Sequence, residues 1–268
     1  MNPNTVYQDI IRYVHCRGDL VDARNALTKS LVDVPPVIFT STPLVTYRAT
    51  AWGMALREWE WFMSGDPHCP PELEKWWSGQ LNPIGDYLYG YGAQLRTWNT
   101  WFDQIEFLID GLDHHPTSRR HLLTTWNASD MASITEINEN KKTPTTCHTT
   151  IAQFFVRNSF LYMTSYQRSA DLLLGVPHNW IQSWAFLLWL ACQVNLRPGS
   201  MRWIFGDAHI YQEESHLKAV DEILRCNQTD IIPVLTYNGS PGTEFHTTDF
   251  KMVGEIPKPR VTTRPKLL

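Results

Sequence analysis

The chain has 268 residues, 43% of them hydrophobic and 19% charged, with 23 basic against 27 acidic side chains and a formal net charge of −4. Those fractions exclude disordered and fibrous classes. The charge balance excludes a coat for polyanions, so any phosphate is expected to be held by a few arginines at one place.

Residues 1–9 lack a basic stretch followed by an apolar run, so no secretory signal is expected. Val6, Ile10, Ile11 and Val14 recur at helical spacing and predict a helix over residues 4–16. Residues 37–45 read as a short β-type run broken by Pro43. A second helix over 50–63 stops at Ser64-Gly65-Asp66-Pro67, a run of breakers. Residues 99–112 give a third, with Ile105, Leu108, Ile109 and Leu112 on one face. Residues 121–126 read as a strand and 128–146 as an irregular polar loop. Strands at 151–156 and 160–166 are joined by Arg157-Asn158-Ser159, a hairpin connection. Residues 177–194 predict a long buried helix, whose apolar run 185–192 is far too short to span a bilayer. Strands at 201–205 and 231–237 complete the sheet, before a Pro-interrupted, mildly basic tail. The elements interleave without regular βαβ alternation and no repeat or linker divides them. One α+β domain over residues 1–268 is the expectation. Five cysteines without paired spacing read as reduced thiols of a cytoplasmic protein. Twelve tryptophans serve as core filler or as platforms for flat ligands.

The chemistry-bearing stretch runs over residues 145–211. It holds Cys147-His148, Tyr166-Gln167-Arg168-Ser169-Ala170-Asp171, Gly175-Val176-Pro177-His178-Asn179 and Gly206-Asp207-Ala208-His209-Ile210-Tyr211. A free thiol is only a few per cent thiolate at neutral pH, and an arginine close in space raises that fraction and holds phosphate. Taken singly, each part reads as readily as inert core or surface. His114-His115 and His68-Cys69 lack further ligands at sensible spacing, so no metal is expected.

Taken together and in order, residues 166–179 and 206–211 resemble the signature of the thymidylate synthase family. Pro43-Leu44-Val45-Thr46, Glu58 ahead of Trp61-Phe62, Tyr91-Gly92 before Gln94 and Arg96, and Ser118-Arg119-Arg120 before Trp126-Asn127 agree in the same order. The resemblance covers roughly residues 40–212. It implies a mixed β-sheet flanked by helices and a homodimer formed through the sheet. Cys147 would add to C6 of a pyrimidine nucleotide and make C5 a carbon nucleophile. Gln167, Arg168 and Ser169 would hold the nucleotide, with Arg119 and Arg120 reaching its 5′-phosphate from the partner subunit. Arg24 is a candidate fourth phosphate ligand, although Asn25-Ala26-Leu27-Thr28 replaces the Gly/Thr-rich loop expected around it. His209 and Tyr211 would bind the deoxyribose 3′-hydroxyl, and Asp171 the pterin of 5,10-methylenetetrahydrofolate, the co-substrate. Glu58, with Tyr91 and His148, would order the waters that move protons. Trp76 and Trp77 would flank the folate or pack in the core. The partners implied are dUMP, folate and a second copy of the chain, with no membrane and no nucleic acid.

Asn179 is the residue expected to choose the base. An amide accepts from uracil N3–H and donates to O4, whereas cytosine presents the opposite pattern. A mismatch leaves buried polar groups unpaired at roughly 1–3 kcal/mol each, so dUMP is expected over dCMP. Both branches of the family join a one-carbon unit to C5. Synthases finish with hydride from the folate and hydroxymethylases with water. Arg57-Glu58-Trp59-Glu60-Trp61 resembles the hydroxymethylase version of the helix, and the tail Arg264-Pro265-Lys266-Leu267-Leu268 departs from the small apolar lid of synthases. Glu60 is either a second carboxylate near the cofactor, assisting water, or a structural charge, since positions i and i+2 on a helix do not share a face. The combination implies a deoxyuridylate hydroxymethylase of the kind found in phages. The alternatives are a divergent thymidylate synthase, a deoxycytidylate hydroxymethylase, and a catalytically silent nucleotide- or RNA-binding relative. The interval from Cys147 to Arg168 is one residue longer than the family pattern, which predicts a backbone irregularity near His148.

Overall fold

Asn2 accepts a hydrogen bond from the Asn4 N–H and, with Pro3 in the first turn, opens helix α1 (Pro3–Arg17), whose Val6, Ile10, Ile11 and Val14 face the core. The computed structural model describes residues 2–23, 26–130, 146–227 and 231–267. Strands β1 (Asp19–Asp22), β2 (Leu27–Leu31) and β3 (Val37–Phe39) follow. The β-type run expected to reach residue 45 ends at Phe39. Helix α2 (Trp52–Ser64) ends on Gly65 at φ 74°, a left-handed cap that only glycine adopts cheaply. Two short helices, α3 (Glu74–Trp77) and α4 (Tyr91–Arg96), lead to α5 (Gln104–His114). The helix expected from residue 99 starts later because Asp103 accepts from the Ile105 and Glu106 N–H groups, while Asn99 and Thr100 turn at φ 50° and 74°.

Strands β4 (Leu122–Thr124), β5 (Ile151–Arg157) and β6 (Phe160–Asp171) form an antiparallel run, with Asn158 and Ser159 both at positive φ in the two-residue turn. Helix α6 (Val176–Gln193) crosses to β7 (Arg197–Tyr211), which pairs parallel with β6. Helix α7 (Glu214–Leu224) precedes β8 (Val234–Tyr237) and β9 (Phe250–Val253). The main sheet runs β1-β2-β7-β6-β5-β4, with β3 also on β7. Two expectations are corrected. The strand at 201–205 is the middle of a much longer β7, and among the described residues β8 does not join the main sheet but pairs only with β9. Most of the polar loop expected at 128–146, and Arg24, lie outside the described residues.

The α+β expectation holds: a mixed sheet flanked by helices around a shared core. Helix α6 is buried almost all round, with Trp180, Phe186 and Leu187 in the core shared with Phe154, Met163, Met201 and Trp203 of the sheet. On the sheet's other face, Ile151, Tyr166 and Ile204 line up across β5, β6 and β7, beside Phe155 and Tyr162. These are only exposed or half-buried.

Candidate active site

The parallel pairing of β6 and β7 sets Ser169 opposite Asp207 and Asp171 opposite His209, so the ends of two strands deliver most of the motif residues to one place. Cys147 is fastened beside them. Its carbonyl accepts from the Ser169 N–H at 3.3 Å and the Thr150 hydroxyl at 3.2 Å. The Tyr91 hydroxyl accepts from the Cys147 N–H at 2.7 Å and the His148 N–H at 3.2 Å, and donates to Cys147 Sγ at 3.5 Å. Thr149 takes φ 47°, a backbone irregularity where the excess residue was expected.

Burial pushes the Cys147 thiol up, and the Tyr91 hydrogen bond and the Arg168 charge pull it back. Arg168 is aimed by its neighbours: its guanidinium donates to the Thr146 carbonyl at 3.1 Å and lies 4.8 Å over the Trp126 ring. His148 stacks on Tyr91 with centroids 4.5 Å apart. Burial lowers its pKa to about 3, so it is neutral.

Behind the thiol runs a chain of amides. Trp203 Nε1 donates to Gln167 Oε1 at 3.0 Å, and Gln167 Nε2 to Asn179 Oδ1 at 3.0 Å. Asn179 Nδ2 donates to Gln182 Oε1 at 3.4 Å, and Gln182 Nε2 to Glu58 Oε2. Glu58 Oε1 accepts from Trp77 Nε1 at 2.5 Å. Burial raises the Glu58 carboxyl to about 7, although both hydrogen bonds favour its charged form.

At the last residue of β6, two positions beyond Ser169, Asp171 Oδ1 accepts the Leu173 and Leu174 N–H groups at 2.9 and 3.0 Å, which fixes the turn into α6. His209 lies 3.5 Å from Asp207, which Ser30 also holds at 2.7 Å, and packs edge-on against Tyr211. Trp76 and Trp77 point apart: Trp77 enters the aromatic core with Trp61, Phe62 and Tyr87, while half-buried Trp76 lies beside His178.

Two groups of candidates stand outside this cluster. Glu60 faces away from Glu58 and accepts from Thr247 Oγ1 at 2.7 Å, the Thr247 N–H at 3.2 Å and His246 at 3.2 Å, with Arg57 at 3.1 Å. It lines a separate cleft of about 670 Å³ with Arg57, Trp61, Trp189 and Gln193. Arg119 and Arg120 are exposed on the loop before β4.

The family model described as Thymidylate synthase matches residues 5–266. The chain belongs to the thymidylate synthase family. It is 30% identical over 273 residues to a thymidylate synthase of Corynebacterium aurimucosum, covering 96% of each chain. It is 32% identical over 269 residues to one of Baumannia cicadellinicola, covering 95% of this chain and 97% of that one. With one of Buchnera aphidicola it shares 34% identity over 229 residues and 82% of each chain.

Membership makes the chain an enzyme of a one-carbon transferase family whose substrates are dUMP and methylenetetrahydrofolate. Three residues of the cluster carry no role in the sequence reading: Trp126, Gln182 and Trp203. Gln182 did leave a signal, a polar side chain that with Asn179 and Ser183 interrupts a mainly apolar helix. Trp126 stood in the Trp126-Asn127 pair that carries part of the resemblance, without a role of its own, and Trp203 left no signal beyond being aromatic. Among the described residues, no helix is long and apolar enough to cross a membrane.

Proposed function

We propose that the chain transfers a one-carbon unit from 5,10-methylenetetrahydrofolate to C5 of dUMP. The observation that carries this reading is the Asn179 amide, whose acceptor and donor ends are fixed by Gln167 and Gln182. One lone pair on Oδ1 and one proton on Nδ2 remain by valence, and uracil N3–H and O4 require that pair. Cys147 adds to C6 as thiolate, helped by the Tyr91 hydroxyl and the Arg168 charge. Glu58, held near neutrality in its proton affinity, moves protons around the ring. Arg168 and Ser169 hold the 5′-phosphate, Gln167 orients the base-reading amide, and His209 and Tyr211 take the 3′-hydroxyl. Asp171 accepts from the pterin, which Trp76 flanks. When bound, the folate supplies the carbon that C5 attacks.

The site is completed by a second copy of the chain. The half-exposed apolar face of β5, β6 and β7 is the surface we assign to a homodimer, and Arg119 and Arg120 beside its edge strand reach the partner's phosphate. That the relatives are thymidylate synthases supports hydride transfer and dTMP as the outcome. The second reading, water addition giving 5-hydroxymethyl-dUMP, keeps two observations: the Arg57–Trp61 motif, and a tail whose Thr262, Thr263 and Lys266 are bonded along α7 to Glu222 and Ser215. Mass spectrometry of the product after incubation with dUMP and methylenetetrahydrofolate decides, since methyl and hydroxymethyl differ by one oxygen. Dihydrofolate absorbance accompanies only the first. Covalent capture of fluorodeoxyuridylate by Cys147 is expected in either case, and its absence overturns the whole reading.

A further inference from the structure

The polar groups behind Cys147 are three amides in series, and an amide alone does not declare which end is oxygen. Here both ends of the series are unambiguous. Trp203 Nε1–H can only donate, so the Gln167 atom it meets at 3.0 Å is the oxygen and Gln167 presents its NH2 to Asn179. At the other end, Gln182 meets the Ala55 carbonyl at 2.9 Å and the Glu58 carboxylate, both acceptors, so the atom between them is its NH2. Gln182 therefore turns its oxygen to Asn179, which must answer with its own NH2. Every donor in the series points from Trp203 towards Glu58.

We propose that Gln182 is a positioning residue that ties the base-reading amide of Asn179 to the Glu58 carboxylate, so that uracil recognition and proton transfer share one polarised hydrogen-bond chain. Gln182 is fully buried on α6 and reaches both groups at once, Glu58 on α2 and Asn179 one turn back on its own helix. A flip of Asn179 to suit cytosine would set N–H against N–H at Gln167 and oxygen against oxygen at Gln182. The same side chain gives Glu58 one of its two hydrogen bonds and favours its ionised form. The remaining ionisable groups that sense this carboxylate are Cys147, Cys69 and Tyr87. None of them donates a hydrogen bond to it among the described residues, so Gln182 and Trp77 are its handles. This inference rests on the roles proposed above for Asn179 and Glu58.

The test replaces Gln182 by methionine, which fills the space without an amide. Two quantities are read on the full-length protein: the 13C titration of the Glu58 carboxyl, assigned by its loss in Glu58→Gln, and the ratio of dUMP to dCMP affinity by calorimetry. The carboxyl should titrate about one pH unit higher, the tenfold change expected on losing one charge-assisted hydrogen bond. The dUMP preference should fall about fivefold, the worth of one neutral hydrogen bond. If Gln182→Met does not fold, Gln182→Glu keeps the shape and the oxygen facing Asn179 but sets a second oxygen against Glu58, which should raise that carboxyl further. A side chain that merely fills space would change thermal stability and leave both readings where they were. An unmoved Glu58 titration, or an unmoved affinity ratio, overturns the proposal. Failure of the wild type to bind either nucleotide would instead sink the proposed function, while the Glu58 titration still decides the Gln182 link.

Discussion

Behind Cys147, a single chain supplies the partners of each polar group, from Trp203 through Gln167, Asn179 and Gln182 to Glu58 and Trp77. In front of it, where an anion would sit, Arg168 is fixed by Trp126 and Thr146, but Arg119 and Arg120 stand exposed at the edge of the sheet. The contrast teaches where each kind of recognition is stored. Reading a base edge and moving protons need directional bonds in a dry place, which one folded core provides. Holding a phosphate needs charge, and charge from a second subunit serves as well.

The contrast breaks most sharply at the thiol. Cys147→Ser should lower kcat by about 10⁴-fold or more, as expected for a nucleophile, while dUMP binding measured by calorimetry persists. Loss of both together would mean that the cysteine shapes the pocket rather than reacts.

The dry wall also has a stability cost that can be measured. Glu58 in the folded protein keeps its proton to about pH 7, whereas an unfolded glutamate releases it near 4.5. The stabilising effect of the proton is complete below 4.5 and is lost as pH rises through 7. Urea unfolding of the wild type should therefore lose about 3 kcal/mol relative to Glu58→Gln between pH 4.5 and 7.5. His148, whose folded pKa is about 3, affects both proteins equally. A constant difference across that range would place the carboxyl in contact with water.

At the rim, Arg119→Ala should raise KM for dUMP by about 10- to 100-fold, the range of a charge-assisted hydrogen bond. Mixing it with Cys147→Ser should restore about a quarter of wild-type activity, since in a two-fold dimer half the mixed population carries one intact site. No recovery would show that each chain uses its own arginine. At the wall, Asn179→Asp should move preference from dUMP towards dCMP by about tenfold to a hundredfold in kcat/KM.

Helices α1, α2 and α6 and the β5–β6 hairpin were legible because their signals are local: apolar spacing, breakers and a two-residue turn. The length of β7 and the departure of β8 were not, because strand pairing is decided by distant partners that periodicity does not name. The site divides in the same way. Motif spacing announced Cys147, Arg168, Asn179 and His209, yet the Trp203–Gln167 and Gln182–Glu58 links join residues 36 and 124 positions apart. Only folding brings such pairs together.

The smallest effect separates two carboxylates two positions apart on α2. Glu60 is bonded to Thr247, His246 and Arg57; burial pushes its carboxyl up, but those bonds outweigh burial and leave it below its ordinary value. Its role is to pin residues 246–247 to α2, so Glu60→Leu should cost about 1–2 kcal/mol at neutral pH by urea unfolding. Because the bonds need the carboxylate, that difference should shrink as pH falls through the carboxylate range, the opposite slope to Glu58. The ratio of hydroxymethyl to methyl product should not move. A shift in that ratio would restore Glu60 to the chemistry despite its place in a separate cleft, because a carboxylate that only pins a loop has no means of choosing between water and hydride.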